Sequence, residues 1–204
     1  MAKYFLLIFI GMINAQLLHP DTNAILNQIH VRFEWQEHPQ ANQYEIYVSD
    51  SNDIINDCVI CGERVSSNSL IYIAKENLDW NNSYSWQINS LSNDGEILNS
   101  NSDTFSIGPS IANATTTSYD SEAQQGLTIF GSFFDYYSAV IDEEGREIWN
   151  SSNDNLIFYN TDKYGRFFGA EFIGNNAENN YPGIKFNFED GIVLENGTKL
   201  SSFE

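Results

Sequence analysis

At 204 residues the chain has room for one or two domains, and the order of its compositional segments argues for a leader followed by two β modules. Its 28 acidic residues against 9 basic ones give a formal net charge of −19. A polyanion would be repelled by such a chain, which excludes nucleic acid and an anionic membrane surface as partners.

The leader is read first. Lys3 supplies a positive n-region, Tyr4 to Ile13 an apolar h-region, and Asn14-Ala15 before Gln16 a small residue at the cut, the pattern of a secretory signal over residues 1–15. A bilayer-spanning helix needs roughly 20 apolar residues, about twice what this stretch offers. No later segment could span, so no membrane span is expected after signal cleavage. Secretion to the periplasm or the extracellular space follows. Residues 16–108 carry 3 basic and 13 acidic residues, and residues 109–204 carry 5 and 15, so the acidic excess is spread evenly. It reads as solubility outside a cell, with a specific cationic partner as the alternative.

In the first module Ile29, Val31, Phe33 and Trp35 alternate with His30, Arg32 and Glu34, as in a half-buried strand. Tyr44, Ile46 and Val48 alternate with Glu45, Tyr47 and Ser49, and Tyr84, Trp86 and Ile88 with Ser85, Gln87 and Asn89. Weaker strands fit Val59 to Val65, Leu70 to Ile73 and Thr104 to Ile107. Polar turns separate them, at Glu37 to Asn42, Asp50 to Asp57, Asp79 to Asn82 and Asn93-Asp94-Gly95. Short strands at this spacing predict an antiparallel sandwich with Trp35, Tyr44 and Trp86 on its core face. Trp80 falls in a turn, where it either meets a ligand or caps the end of the sandwich. Cys58 and Cys61 are the only cysteines, and in an oxidising compartment they read as a loop disulfide; free thiols and a redox or metal pair are the other possibilities. Asp50, Asn52, Asp53 and Asp57 offer oxygen ligands, but no Gly or Glu stands where a twelve-residue calcium loop needs one.

Trp35 at the end of its strand, Tyr44-Glu45-Ile46-Tyr47-Val48, Leu78 ahead of Tyr84, then Trp86, Ile88, Gly95 and Phe105 resemble the fibronectin type III pattern over residues 17–108. The resemblance implies an immunoglobulin-like sandwich serving as a spacer or docking platform. It also implies that Tyr84 is a corner tyrosine whose ring joins the core and whose hydroxyl bonds back to nearby backbone.

Residues 109–125, with Ala112 to Ser118, contain few large apolar side chains and read as a linker. Candidate strands then resume at Leu127 to Phe134, Tyr137 to Ile141, Glu147 to Trp149, Leu156 to Tyr159, Phe167 to Phe172, Ile184 to Phe188 and Ile192 to Leu194. Asp142 to Gly145, Asp162 to Gly165, Asp190-Gly191 and Glu195-Asn196-Gly197 carry the chemistry of tight β-turns. The aromatic runs Phe133-Phe134, Tyr136-Tyr137 and Phe167-Phe168 lack clean alternation, which predicts strands covered on both faces.

Gly126 to Phe130, Ala139-Val140-Ile141-Asp142-Glu143-Glu144-Gly145-Arg146-Glu147-Ile148-Trp149 and Asn160 to Phe167 are similar to the start of bacterial arylsulfotransferase-like propellers. In that reading residues 126–204 are antiparallel hairpins of an incomplete β-propeller, with the Trp wedged between blades. The resemblance implies sulfuryl transfer between phenols through a covalent histidine. No such residue carries over: after His38 the chain has no histidine, and Arg146, Lys163, Arg166, Lys185 and Lys199 are scattered at turns.

Asn81, Asn113, Asn150 and Asn196 each begin an Asn-x-Ser/Thr sequon. The expectation is an all-β N-terminal fragment of a secreted arylsulfotransferase-like protein, with no catalytic, cofactor-binding or metal residue in this chain. The alternative is a non-enzymatic extracellular adhesion protein that binds a glycan or a protein.

Overall fold

The computed structural model describes residues 16–112, 126–133, 137–164, 166–172 and 183–187, together with the backbone of 191–193. The expected leader, most of the expected linker and the turns at Asp190 and Asn196 lie outside the described residues. The fold is all-β, and among the described residues no helix is long and apolar enough to cross a membrane. There are two compact units. The first comprises the described residues of Met1–Ala24, Arg32–Ile73 and Tyr84–Phe105, and the second comprises Ile25–Val31, Ala74–Ser83 and the described residues of Ser106–Glu204.

The strands between Leu17 and Ile107 form two sheets. β1 (Leu17–His19), β3 (Val31–Trp35) and β6 (Ile71–Ala74) form one, in the order β1-β3-β6. The other has the order β2-β8-β7-β4-β5, from β2 (Ala24–Leu26), β4 (Gln43–Ser49), β5 (Cys58–Ser66), β7 (Ser83–Leu91) and β8 (Ile97–Ile107). The alternation read from the sequence becomes burial: Val31, Phe33 and Trp35 on β3 and Tyr44, Ile46 and Val48 on β4 all point inward. The two sheets meet through rings. Phe33 lies 5.0 Å from Trp86 and 5.7 Å from Phe105, and Trp35 lies 5.4 Å from Tyr44. Tyr84 is buried and stacks on Phe105 at 5.4 Å. Tyr44 ties down a turn, since its hydroxyl accepts the His38 backbone N–H at 2.9 Å.

In the second unit the strands run in sequence order without crossovers. β9 (Thr128–Ser132), β10 (Tyr137–Ile141) and β11 (Glu147–Asn150) make a three-stranded antiparallel sheet. β12 (Leu156–Thr161), β13 (Phe167–Glu171), β14 (Gly183–Asn187) and β15 (Gly191–Val193) make a four-stranded one. The turn joining β10 to β11 follows from its residues: the Asp142 carboxylate accepts the Arg146 backbone N–H and its Nε–H, each at 2.7 Å, while Gly145 takes φ +85°. Asp162 repeats the device between β12 and β13, accepting from Arg166 N–H at 3.1 Å and Nε–H at 2.6 Å.

The two sheets of this unit lie face on face. Trp149 of β11 stacks on Phe186 of β14 with centroids 5.8 Å apart and planes 15° apart, and Phe186 in turn meets Phe167 at 5.5 Å. Ser138 of β10 is buried; its hydroxyl donates to Leu156 O at 3.0 Å and accepts from Phe158 N–H at 2.8 Å, so it joins the sheets by hydrogen bonds. All four residues of β11, Glu147 to Asn150, are buried. Gly169 allows β13 to approach β12 closely, because a Cβ there would stand 2.1 Å from Ile157 O.

The outer edge of β11 is occupied by Asn27–Ile29. Ile29 N–H donates to Ile148 O at 2.9 Å, Asn150 N–H donates to Asn27 O at 3.0 Å, and Gln28 pairs with Trp149. A strand edge that would otherwise offer free backbone groups is thereby covered.

Candidate functional site

The strongest polar centre was not singled out in the sequence. Glu147 opens β11 and is 6 % exposed. Its carboxylate accepts the Ser110 hydroxyl at 3.0 Å and the Ile111 N–H at 3.1 and 3.2 Å, and it also accepts the Ala112 N–H and the Asn150 amide. Asn150 is fully buried, and its side-chain amide also donates to Pro109 O at 3.0 Å. Successive backbone N–H groups converging on one carboxylate make an anion nest, here filled by a side chain of the same chain. With its oxygens engaged by these donors, this carboxylate holds structure. The first four residues of the expected linker, Pro109 to Ala112, are therefore fixed to β11.

Trp80 has a structural partner. Its indole N–H donates to Glu147 O at 3.0 Å and its ring is half-buried, so it anchors the turn that carries it instead of standing free for a ligand.

Cys58 and Cys61 are joined, with Cα atoms 5.3 Å apart. They sit within β5 and not in a loop. The register with β4 slips between Val48↔Ile60 and Ser49↔Cys58, so the bond spans a bulge on the last strand of the five-stranded sheet. In the acidic loop Asp53 is exposed and bonded within its own turn: its carboxylate accepts the Asn56 N–H at 3.1 Å and the Asn56 side-chain amide at 3.2 and 2.9 Å. Those bonds hold its pKa below the usual carboxylate range. Among the described residues no three of His, Cys, Asp and Glu are grouped to hold a metal ion.

Arg146 and Arg166 are taken up by Asp142 and Asp162 in their hairpins, and the hydrogen bond to Asp142 raises the pKa of Arg146. Lys163 and Arg166 flank the exposed ring of Tyr164 at 5.0 and 5.3 Å. Of the sequons, Asn81 is exposed in its turn, Asn150 is buried and already bonded, and Asn113 and Asn196 lie outside the described residues.

An aromatic group is exposed on the second unit. Phe133 is 57 % exposed and Tyr159 55 %, with rings 6.2 Å apart, and Phe172 meets Phe133 edge-on at 6.4 Å. The sequence shows each of these aromatics but not their convergence, which depends on β9, β12 and the end of β13 meeting. Compared with protein-family models, curated proteins and solved structures, the chain matches none of them.

Proposed function

We propose that this chain is the N-terminal portion of a secreted arylsulfotransferase-like protein. Residues 16–108 act as a fibronectin type III-like spacer or docking sandwich, and residues 126–204 as the opening blades of a β-propeller. The observation that carries this reading is the pair of up-and-down sheets stacked through Trp149 and Phe186, each with an Asp-closed hairpin that bonds its Arg. The strand orders β1-β3-β6 and β2-β8-β7-β4-β5, with Phe33, Trp35, Tyr44 and Trp86 between the sheets, support the first half.

In this reading the chain itself carries no catalytic group, because its polar centre at Glu147 is committed to structure. The 204-residue chain is expected to transfer no sulfate from p-nitrophenyl sulfate to phenol, measured as nitrophenolate release. Turnover by the pure chain would place chemistry where none has been assigned. The same assay on a longer product of the gene tests the parent activity.

A second reading, a non-enzymatic glycan-binding protein, is favoured by the exposed Phe133–Tyr159–Phe172 group, since aromatic faces stack on pyranose rings. It predicts retention of the chain in neutral-polysaccharide affinity gels and loss of that retention in Tyr159→Ala with the melting temperature kept. Equal migration of both proteins would remove it.

A further inference from the structure

The face of the five-stranded sheet that turns away from the core carries a polar array that neither reading of the function uses. On β4 and β7 Tyr44, Ile46, Val48, Trp86 and Ile88 are buried, so alternation puts Glu45, Tyr47, Gln87 and Asn89 on the opposite face. Register sets these side by side. Glu45 stands opposite Asn89 on β7 and opposite Arg64 on β5, and Tyr47 stands opposite Gln87. All of them belong to the first unit.

Charge is cancelled within the array. Arg64 Nε–H donates to Glu45 Oε1 at 3.1 Å, its Nη2 lies 3.0 Å from the same oxygen, and its Nη1–H donates to Gln43 Oε1 at 3.3 Å. The Tyr47 hydroxyl donates to Glu45 Oε2 at 3.3 Å. That end of the half-buried ring lies over Gly62, where an added Cβ would stand 2.9 Å from the Tyr47 oxygen, so a glycine is what admits it. Asn89 is 3 % exposed, and its Oδ1 accepts from Gln87 Nε2 at 2.8 Å and from the Ser100 hydroxyl at 2.6 Å. Those two bonds fix the amide plane and leave its NH₂ with no acceptor among the described residues. Unlike the indole nitrogens of Trp35 and Trp86, which are sealed in the core without a partner, that nitrogen is reachable from solvent.

We propose that this face of the sandwich binds a neutral saccharide, with Tyr47 as the ring against the sugar and Gln87, Asn89 and the Glu45–Arg64 pair as the groups that meet its hydroxyls. A sugar hydroxyl both donates and accepts, and the array offers both roles at fixed places: the Asn89 NH₂ as donor, the Gln87 Oε1 and the Glu45 carboxylate as acceptors. Exchanging oxygen and nitrogen in both amides still leaves one donor and one acceptor. The ion pair leaves the array without net charge, and the −19 of the chain repels polyanions, which favours a neutral ligand. The site is separate from the Phe133–Tyr159–Phe172 group, which belongs to the other unit.

The test is an NMR titration of the whole chain with cellohexaose and with maltohexaose, read at the Gln87 and Asn89 side-chain amides and the Tyr47 ring. Saturable shifts at these groups with at least one of the two are expected, with a Kd of about 1 mM or tighter. Tyr47→Ala and Gln87→Ala should each weaken binding about ten-fold while keeping the spectrum of the folded chain. Tyr159→Ala should bind as the unaltered chain does, which separates this site from the aromatic group of the second unit. No saturable shift with either saccharide, shifts confined to the second unit, or unchanged affinity in both Tyr47→Ala and Gln87→Ala overturns the proposal. So does saturation by hexalysine alone, which would assign the face to a basic peptide.

Discussion

Replacing Trp149 by alanine is expected to destabilise the second unit by about 3–5 kcal/mol, the range for removing a large aromatic side chain from a packed interior. Trp149 is 1 % exposed, its neighbours Ile148 and Asn150 are also buried, and its ring stacks on Phe186, which contacts Phe167. The cavity would therefore open between the two sheets, where neither can close it without losing the Ser138 bonds to Leu156 and Phe158. Against a domain stability of roughly 5–15 kcal/mol, that loss removes a large share of the total. Guanidinium unfolding should show a lower midpoint, and amides of β10 and β14 should exchange faster. Trp149→Phe keeps a ring at the stack and should cost less. If alanine costs under about 1 kcal/mol, a surface-like value, the two sheets are not held together by this side chain.

Glu147→Ala should have an effect of similar size, about 3–5 kcal/mol, for a different reason. It would leave the Ser110 hydroxyl and the Ile111 and Ala112 N–H groups without their acceptor, in a site where Glu147 itself is nearly inaccessible to water. Glu147→Gln is not a conservative change here. One of its two terminal atoms becomes an NH₂ facing N–H donors, so it should lose about 2 kcal/mol or more. Exchange at the Ile111 and Ala112 amides reads the effect directly. Protection that survives in the alanine variant would show that Pro109 to Ala112 are held by something other than this carboxylate.

Strands with clean alternation were legible because one face of each was to be buried. Tyr44 to Ser49 and Tyr84 to Asn89 carry that pattern and lie inside β4 and β7. β8 was legible only at its end. It begins at Ile97, far ahead of the expected Thr104, because Ile97 to Asp103 show no apolar period; the strand is held by neighbours on both sides, β2 and β7. β1 and β2 went unread for a related reason, since three residues with little burial carry no period.

The polar centre was less visible still. Glu147 reads in sequence as an ordinary acidic residue after a turn, and what makes it important is a segment some three dozen positions earlier in the chain folding against it. Trp80 shows the same limit, since its turn position was evident and its acceptor, Glu147 O, was not.

By itself the sequence determined the all-β class, the positions of most strands, the Asp142 turn and the inward aromatics of the first unit. These are set by neighbours a few residues apart, through side-chain alternation and turn stereochemistry. The tertiary structure decided which strands share a sheet, which carboxylate is buried and where the outer edge of β11 finds its partner. Those outcomes depend on contacts between residues distant in the chain, whose free energy appears only when both sides have lost water together.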